Sequence, residues 1–285
     1  MKSLRQIFLI IVIFFNNNIF SSEDDKTFQE QSMLSVLYAQ TSAEFSANNI
    51  QTYNNAKVHL DKALADVSWT AALEQKDNYQ NKKPAIILDI DETVFDNTPF
   101  QARTIIKGLS YPNGWVEWAN EGQATAVAGV SDFLKYADKK GVKIFYVTNR
   151  IHILEKATKK NLIELGLPFD NDIDVLLMKE ENGWTSDKTS RRELIAKDYR
   201  ILLMVGDQLT DFISADEAYV HHVERKKIAS KYSDMWGKKW FVITNPMYGR
   251  WEYSIYDNET PESEEAAKAI RTVSYTHLRA HETSE

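Results

Sequence analysis

Cysteine is absent from this chain of 285 residues. Without a thiol the protein forms no disulfide bond, uses no thiolate nucleophile and builds no zinc–sulfur site. A basic excess is also lacking, since the formal net charge is −7. Nucleic-acid binders carry a basic footprint, so we expect no nucleic-acid polymer as a partner. The hydrophobic content of 43% is enough for a sizeable globular core.

The N-terminus has the features of a targeting segment. Lys2 and Arg5 precede an unbroken apolar run over residues 7–15, which is too short to span a bilayer. We predict a signal peptide over residues 1–22, although Ile19 is large for a cleavage site; a retained anchor is the alternative. The mature protein is then expected to be exported, to the periplasm, the cell envelope or the medium, with no stable membrane span.

The last residues differ in kind from the rest of the chain. Residues 273–283 show neither a helical nor a strand period. They resemble the peptide obtained when sequencing-adapter DNA is translated. We therefore predict that residues 272–285 are a non-native or disordered tail and leave them out of the fold.

Hydrophobic periodicity divides the remaining chain into two parts. Apolar residues recur at intervals of three and four over residues 24–80, without an interrupting glycine or proline, which predicts a helical segment over residues 23–83. From residue 84 onward, short apolar runs alternate with helical periods. This alternation predicts an α/β fold, a parallel sheet with helices on both faces, with ligands bound beyond the carboxyl ends of its strands. The predicted strands are 85–90, 142–147, 175–178, 201–205 and 240–244, and the predicted helices lie around 129–140, 153–165, 188–198 and 209–219.

Two aspartates separated by one residue follow the first predicted strand. Side chains two apart on a strand share a face, so Asp89 and Asp91 can enter one pocket. Neighbouring carboxylates repel each other and are costly to bury, and their hard oxygen atoms favour Mg²⁺ as the compensating cation. A plain acidic turn is the alternative, which the polar segments downstream disfavour.

Further polar residues follow the later strands in a fixed order. Thr148 ends the second predicted strand, Lys188 opens a helical segment, and Asp207 and Asp211 follow the fourth. Each has an ordinary interpretation when taken alone: a strand cap for Thr148, a solvated lysine for Lys188 with Lys179 as its rival, and a helix cap for Asp211. The ordered set favours a common site.

The motif order resembles that of the haloacid dehalogenase (HAD) superfamily, in which Asp-x-Asp-x-Thr is followed by Thr, Lys and Gly-Asp-x-x-x-Asp. The amino-acid sequences of the motif segments resemble more closely those of the class C acid phosphatases, which include lipoprotein-type 5′-nucleotidases. The segments that carry this likeness are 40–44, 88–97, 145–150, 205–212 and 245–252. The resemblance implies a HAD-like Rossmannoid core over residues 84–271 with inserted cap elements, preceded by a helical arm or cap.

Three departures from the family stand out. The lipid-anchor cysteine is absent, Gln208 stands where asparagine is common, and Arg250 stands where glycine is common. The first departure puts membrane attachment in doubt, and the other two bear on substrate preference.

The resemblance and the residue types together imply roles in phosphoryl transfer. Asp89 would be the nucleophile that forms an aspartyl-phosphate. Asp91 would protonate the leaving oxygen and then activate water. Thr148 and Lys188 would contact the phosphoryl oxygens and stabilise their charge.

The same resemblance implies a metal centre. Mg²⁺ would be held by Asp89, the backbone carbonyl of Asp91 and Asp207. Asp211 would orient a metal-bound water or the lysine.

Aromatic and polar residues outside the strands suggest what the substrate carries. Tyr111, Trp115 and Tyr248 can stack on a nucleobase, as aromatic residues near these positions do in the resembling family. Asn149 and Arg150, directly after Thr148, are predicted to bind substrate. We expect a phosphomonoester substrate, and nucleoside 5′-monophosphates are the first candidates. A broad phosphomonoesterase or phosphotransferase is the alternative, and a non-catalytic ligand-binding protein is the rival; homo-oligomerisation stays open.

Overall fold

The computed structural model describes residues 30–280, with side chains described as far as Ser274. The predicted signal peptide over residues 1–22 lies outside them. The helices in this part of the chain, in order, are α1 (Met33–Thr41), α2 (Ala43–Ala65), α3 (Thr98–Lys107), α4 (Trp115–Glu121), α5 (Val130–Lys139), α6 (Glu155–Glu164), α7 (Thr189–Asp198), α8 (Ala215–Ala218), α9 (His222–Lys231), α10 (Arg250–Tyr253) and α11 (Glu264–Ala280).

Five parallel strands form the main sheet. Their spatial order is β5 (Leu176–Lys179), β4 (Lys143–Ile151), β1 (Lys83–Leu88), β6 (Tyr199–Gly206) and β7 (Trp240–Val242). A short antiparallel pair, β2 (Phe95–Asp96) and β3 (Thr125–Ala126), lies between β1 and α5 in the chain. The predicted α/β fold with a parallel sheet is confirmed. β4 continues to Ile151, beyond the predicted end at residue 147.

Alternation along β1 explains why helices cover both faces of the sheet. Ile86 and Leu88 belong to one buried cluster, which contains side chains of α2 and α5. Ala85 and Ile87 belong to the other, which contains Ile195 of α7. A central parallel strand is buried on both sides, so its sequence is a continuous apolar run.

Helix α2 braces the turn that follows β1. It begins at Ser42, whose hydroxyl accepts a hydrogen bond from the Phe45 amide at 3.1 Å. The buried side chains of its inner face recur at intervals of three and four: Tyr53, Ala56, Leu60 and Ala63. The hydroxyl of Tyr53 donates to the carbonyl of Thr93 at 2.6 Å, which ties the helical arm to the loop carrying the first motif.

The helical prediction for residues 23–83 is wrong beyond Ala65. Asp66 Oδ1 accepts hydrogen bonds from the Ser68 amide at 2.9 Å and from the Ser68 hydroxyl at 2.6 Å. Such a local side-chain bond competes with the helix and turns the chain. The segment then packs along β6, where Trp69 Nε1 donates to a strand carbonyl at 2.8 Å.

The prediction of one helical segment around residues 209–219 is also wrong. The chain forms a 3₁₀ turn at Leu209–Asp211 and then the four-residue helix α8. The Asp211 carboxylate accepts from the Gln208 amide at 2.8 Å, which closes the turn on itself. Helix α8 then begins after Ser214, whose hydroxyl caps the helix by accepting a hydrogen bond from the Glu217 amide at 3.3 Å.

The expectation of an irregular tail is wrong for residues 272–280, because α11 continues to Ala280. Arg271 anchors the helix by pairing with Glu252 and donating from Nε to the Tyr256 hydroxyl at 2.5 Å. Once a helix has been nucleated, each further residue adds a hydrogen bond, so it extends past its packed turns. That these residues are non-native stays a prediction, and residues 281–285 lie outside the described part. Between residues 30 and 280, no helix is both long and apolar enough to cross a membrane.

Candidate active site

The carboxyl ends of β1, β4 and β6 meet at one edge of the sheet. After β1 the chain continues to β4 on one side and later to β6 on the other, so the strand order reverses around β1. This topological switch point leaves a crevice beyond the strand ends. Asp89 comes directly after β1, and its amide donates to the Val205 carbonyl of β6 at 3.0 Å. Asp207 comes directly after β6, so the two aspartates lie side by side.

A buried lysine links Asp89 to a further aspartate, Asp211. Lys188, the residue before α7, donates from Nζ to Asp89 Oδ1 and to Asp211 Oδ1, the latter at 2.6 Å. All three residues are buried. Burial opposes the charge of Lys188, but the carboxylates of Asp211 and Asp89 outweigh it and raise the pKa of the ammonium above its ordinary value. Lys188 is therefore a fixed positive charge inside the site.

Three carboxylates around Lys188 can hold a metal ion. Asp89, Asp207 and Asp211 each offer an oxygen atom within 4.8 Å of the others. Burial, together with the charge of Asp211, raises the pKa of Asp207 to about 7, and burial raises the pKa of Asp89 above its ordinary range. Three acids facing one lysine leave negative charge in excess, and the oxygen-only donor set suits a hard divalent cation. The residues thus fit such an ion.

Two amide side chains hold Asp207 in place. Asp207 Oδ2 accepts from Gln208 Nε2 and from Asn245 Nδ2, both at 2.8 Å. Gln208 Oε1 in turn accepts from the Arg250 amide at 2.9 Å. A Cβ atom on Gly249 would lie 2.3 Å from Gln208 Nε2, so only glycine permits this close approach. Gln208 therefore links the aspartate to the loop after β7.

Arg191 is a feature of the site that the sequence analysis missed. Its guanidinium donates to the carbonyl of Thr148 at 2.6 Å, to Asn149 Oδ1 at 2.8 Å, and to the carbonyls of Thr185 and Asp187 at 3.1 and 3.2 Å. The residue is fully buried. It therefore locks the end of β4 to the loop that carries Lys188. The only signal in the sequence was its place one helical turn after the lysine.

Arg192, the next residue, holds the loop after β6. It pairs with Glu74 at 2.8 Å and donates to the carbonyls of Thr210 and Asp211 at 3.1 and 3.3 Å. The two buried arginines of α7 thus fix the last part of β4 and the loop after β6 relative to Lys188.

Replacing Arg191 by methionine should lower the free energy of unfolding by about 3–5 kcal/mol, because several buried carbonyls lose a charged donor at once. Arg103 is the matched control. Its pair with Glu121 is largely exposed, so Arg103→Met should cost about 1 kcal/mol or less. Urea denaturation of both variants measures the difference, and equal losses would contradict the locking role of Arg191.

Asp91 lies beside this cluster but faces a different partner. Its carboxylate forms a salt bridge with Arg150, the Nη2–Oδ1 distance being 2.8 Å. Arg150 is only 2% exposed, and its side-chain nitrogens contact Asp91, Thr158 and Asn97. Strand β4 thus turns the Arg150 side chain toward Asp91, and its predicted contact with substrate stays a prediction.

The other polar residues considered for the site lie around the crevice or on the nearby surface. Thr148 is buried at the end of β4, and its hydroxyl accepts from the Arg150 amide at 3.1 Å. Asn149 is exposed, and its amide contacts Ser186 and Arg191, so it braces the rim, and substrate contact stays a prediction. Lys179 pairs with its neighbour Glu180 at 3.9 Å on the surface, whereas Lys188 is the lysine inside the site.

The three predicted aromatic residues lie in different settings. Trp115 packs against Tyr111 with ring centroids 6.2 Å apart, and the Arg150 guanidinium lies 5.2 Å from the Trp115 ring. Tyr111 is 69% exposed. Tyr248 is partly buried against Val36, Ala39 and Met247. Tyr111 is therefore a solvent-facing ring that packs against the half-buried Trp115, whereas Trp115 and Tyr248 also support packing.

Comparison with known proteins agrees with this geometry. Residues 16–251 match the family described as HAD superfamily, subfamily IIIB (Acid phosphatase). The chain is similar to the class C acid phosphatase from Bacillus anthracis, with 35% identity and a TM-score of 0.75 over 86% of this chain and 96% of that chain. The structure of that enzyme with tungstate bound gives the same identity and TM-score over 87% and 97%.

A plant protein is more distantly similar. Acid phosphatase 1 from Solanum lycopersicum is 24% identical over 143 residues, which cover 47% of this chain and 53% of that protein. The chain thus spans about half the length of this relative.

Proposed function

This chain belongs to the HAD superfamily, subfamily IIIB, a family of acid phosphatases, and on that basis we propose that it hydrolyses phosphomonoesters, in particular nucleoside 5′-monophosphates, with Mg²⁺. Membership of the family confirms the resemblance on which the interpretation of the four motifs rests, and the roles of the residues in these motifs are part of the proposal. The observation that carries the proposal is the buried cluster in which Lys188 contacts both Asp89 and Asp211 while Asp207 lies within reach. A ligand-binding protein has no need for such a costly arrangement of charges.

The proposed reaction proceeds in two steps. Asp89 attacks the phosphorus atom while Asp91 gives its proton to the leaving oxygen, so the P–O bond of the ester breaks as the bond to Asp89 forms. Asp91 then takes a proton from water, which attacks the aspartyl-phosphate and releases inorganic phosphate. Asp91 pairs with Arg150 and not with Lys188, so the nucleophile and the proton-transfer residue have separate cationic partners.

The other side chains stabilise the phosphoryl oxygens. Lys188 brings its positive charge to the nucleophile. The hydroxyl of Thr148 accepts from a backbone amide and therefore keeps its own proton to donate to a phosphoryl oxygen. Mg²⁺, held by Asp89 and Asp207 with Asp211 beside them, would supply further positive charge to these oxygens. The tungstate-bound relative supports such a pocket, since tungstate is a tetrahedral oxyanion like phosphate.

The preference for nucleotides rests on the aromatic pair. Tyr111 and Trp115 present ring faces next to Arg150, which itself contacts Asp91. The base of a nucleoside 5′-monophosphate, which is joined to the phosphate through ribose, has an aromatic face that can stack on these rings.

We also propose that the protein is exported. The proposal rests on the basic residues and the apolar run within residues 1–22.

Tyr111→Ala should lower kcat/KM for adenosine monophosphate by roughly 5- to 150-fold, the worth of one base–aromatic stack of about 1–3 kcal/mol. The change should leave a minimal alkyl phosphate unaffected, because Tyr111 is exposed and lies outside the aspartate cluster. Tyr111→Phe is the matched control, since it keeps the ring and should keep the nucleotide preference. Equal losses on both substrates in Tyr111→Ala would refute the stacking role.

A phosphate-release screen tests the function as a whole. Nucleoside monophosphates, sugar phosphates and p-nitrophenyl phosphate would be compared with and without Mg²⁺. Similar rates on all esters would favour the broad phosphomonoesterase, and release stimulated by added alcohols would indicate a phosphotransferase. Binding without turnover of any ester would leave the ligand-binding protein as the better description.

A further inference from the structure

We infer that Arg150 and Asn97 are positioning residues that clamp Asp91 and leave its Oδ2 atom as the one that carries the transferred proton. The inference rests on the proposed phosphatase reaction. It assigns a role to two buried side chains, one of which was expected to contact the substrate.

The clamp is asymmetric. Asp91 Oδ1 accepts three hydrogen bonds, from Arg150 Nε at 3.0 Å, Arg150 Nη2 at 2.8 Å and Asn97 Nδ2 at 2.8 Å. Asp91 Oδ2 accepts only one among the described residues, a longer bond of 3.2 Å from Arg150 Nε. An oxygen facing three N–H groups has no room for a proton of its own. The exchangeable proton therefore belongs on Oδ2.

The arginine is itself immobilised. Nη1 donates to Thr158 Oγ1 of α6 at 3.2 Å. The central guanidinium carbon lies over the rings of Phe95 and Trp115, at 5.1 and 5.2 Å from their centroids. A planar guanidinium held by two aromatic rings and by a hydrogen bond loses little further entropy when it binds a carboxylate. Trp115 thus connects the proposed base-stacking pair to the aspartate.

The orientation of Asn97 is also determined. Asn97 is fully buried, and its Oδ1 accepts from Trp118 Nε1 at 2.8 Å. An indole nitrogen can only donate, so the amide must present its oxygen to Trp118 and its nitrogen to Asp91. Asp91 is consequently held from two directions, by β4 through Arg150 and by the start of α3 through Asn97.

Holding Asp91 matters most when the leaving group needs a proton. An alkoxide is a poor leaving group and must be protonated as the P–O bond breaks, so its departure depends on where Oδ2 is placed. The p-nitrophenolate ion is stable without a proton. A misplaced Asp91 therefore slows the release of an alkoxide much more than the release of p-nitrophenolate.

Arg150→Gln, assayed with methyl phosphate and p-nitrophenyl phosphate, tests the inference. We expect kcat/KM to fall by about 10- to 100-fold for methyl phosphate and by less than about threefold for p-nitrophenyl phosphate, within the range that general acids contribute. The loss on methyl phosphate should disappear when Asp91 is already asparagine, because the clamp then has no proton to place. Equal losses on both esters, appearing as a rise in KM, would show that Arg150 binds the phosphoryl group and would overturn the inference.

Trp118→Phe provides a second variant, which decides the matter should Arg150→Gln not fold. It keeps an aromatic ring at this buried position and removes the indole N–H that orients Asn97. A loss confined to methyl phosphate supports the clamp, and the absence of any such selectivity overturns it. If the wild-type protein hydrolyses neither ester, the proposed function itself fails, which is a distinct result.

Discussion

Replacing Asp89 by asparagine is expected to reduce phosphate release by about 10⁴-fold or more, because the amide keeps the shape of the side chain but cannot act as the nucleophile. The fold should survive. Asp89 shares its buried pocket with Asp207 and Asp211, and removing one of three mutually repelling carboxylates relieves repulsion while Lys188 keeps Asp211 as a partner. Phosphate release and thermal unfolding followed by circular dichroism measure the two effects.

Asp234→Asn is the matched control for this substitution. It makes the same chemical change on a side chain that is 99% exposed and only weakly paired with Lys238 at 3.6 Å. Its activity should equal that of the wild type. Substantial turnover by Asp89→Asn with the wild-type ester would remove Asp89 from the role of nucleophile.

Removal of divalent metal by exhaustive chelation should lower activity by at least about 100-fold, since a metal ion contributes several kcal/mol to stabilising transferred charge. Mg²⁺ should restore the activity, and Zn²⁺ should restore it poorly because the ligands are oxygen atoms alone. Binding should also be visible without turnover. At about 100 times its dissociation constant, Mg²⁺ should stabilise the fold by about 2.7 kcal/mol and raise Tm by roughly 5–10 °C.

The Asp207→Asn variant distinguishes Mg²⁺ binding at this site from a nonspecific effect of the added salt. The variant loses one carboxylate of the cluster but retains amide partners for Gln208 and Asn245, so its Mg²⁺-dependent Tm shift should shrink markedly. Asp234→Asn should keep the full shift. Full activity after chelation, or an equal Tm shift in both variants, would contradict the metal centre.

The sheet could be predicted because strands of a parallel sheet are buried on both faces. The apolar run that contains Ile86 and Leu88 is typical of a central strand that is covered on both faces. Element boundaries were harder to predict where a single polar side chain turns the backbone. Asp66 ended the arm helix early, and the closure of Asp211 onto Gln208 broke the segment after β6.

The linear order of Asp89, Thr148, Lys188 and Asp207 was enough to bring these four candidate residues to one sheet edge. Asp89 and Asp207 directly follow strands, Thr148 lies near the end of β4, and Lys188 directly precedes a helix. Their residue types, carboxylates with a lysine and a hydroxyl, are those that phosphoryl transfer uses, so the proposed chemistry could be formulated from the sequence.

Only the tertiary structure decided which charges pair. Arg150 looked like a substrate ligand next to Thr148, yet it reaches Asp91, 59 positions away in the chain. Arg191 had no predicted role, yet it is fully buried and donates to a carbonyl of β4 and to one in the loop before α7. The direction of a long polar side chain depends on which donors and acceptors the fold brings within about 3 Å, and burial makes each of those contacts obligatory. The spacing of residues along the sequence does not specify such distances, so the partners of buried charges could be identified only from the folded structure.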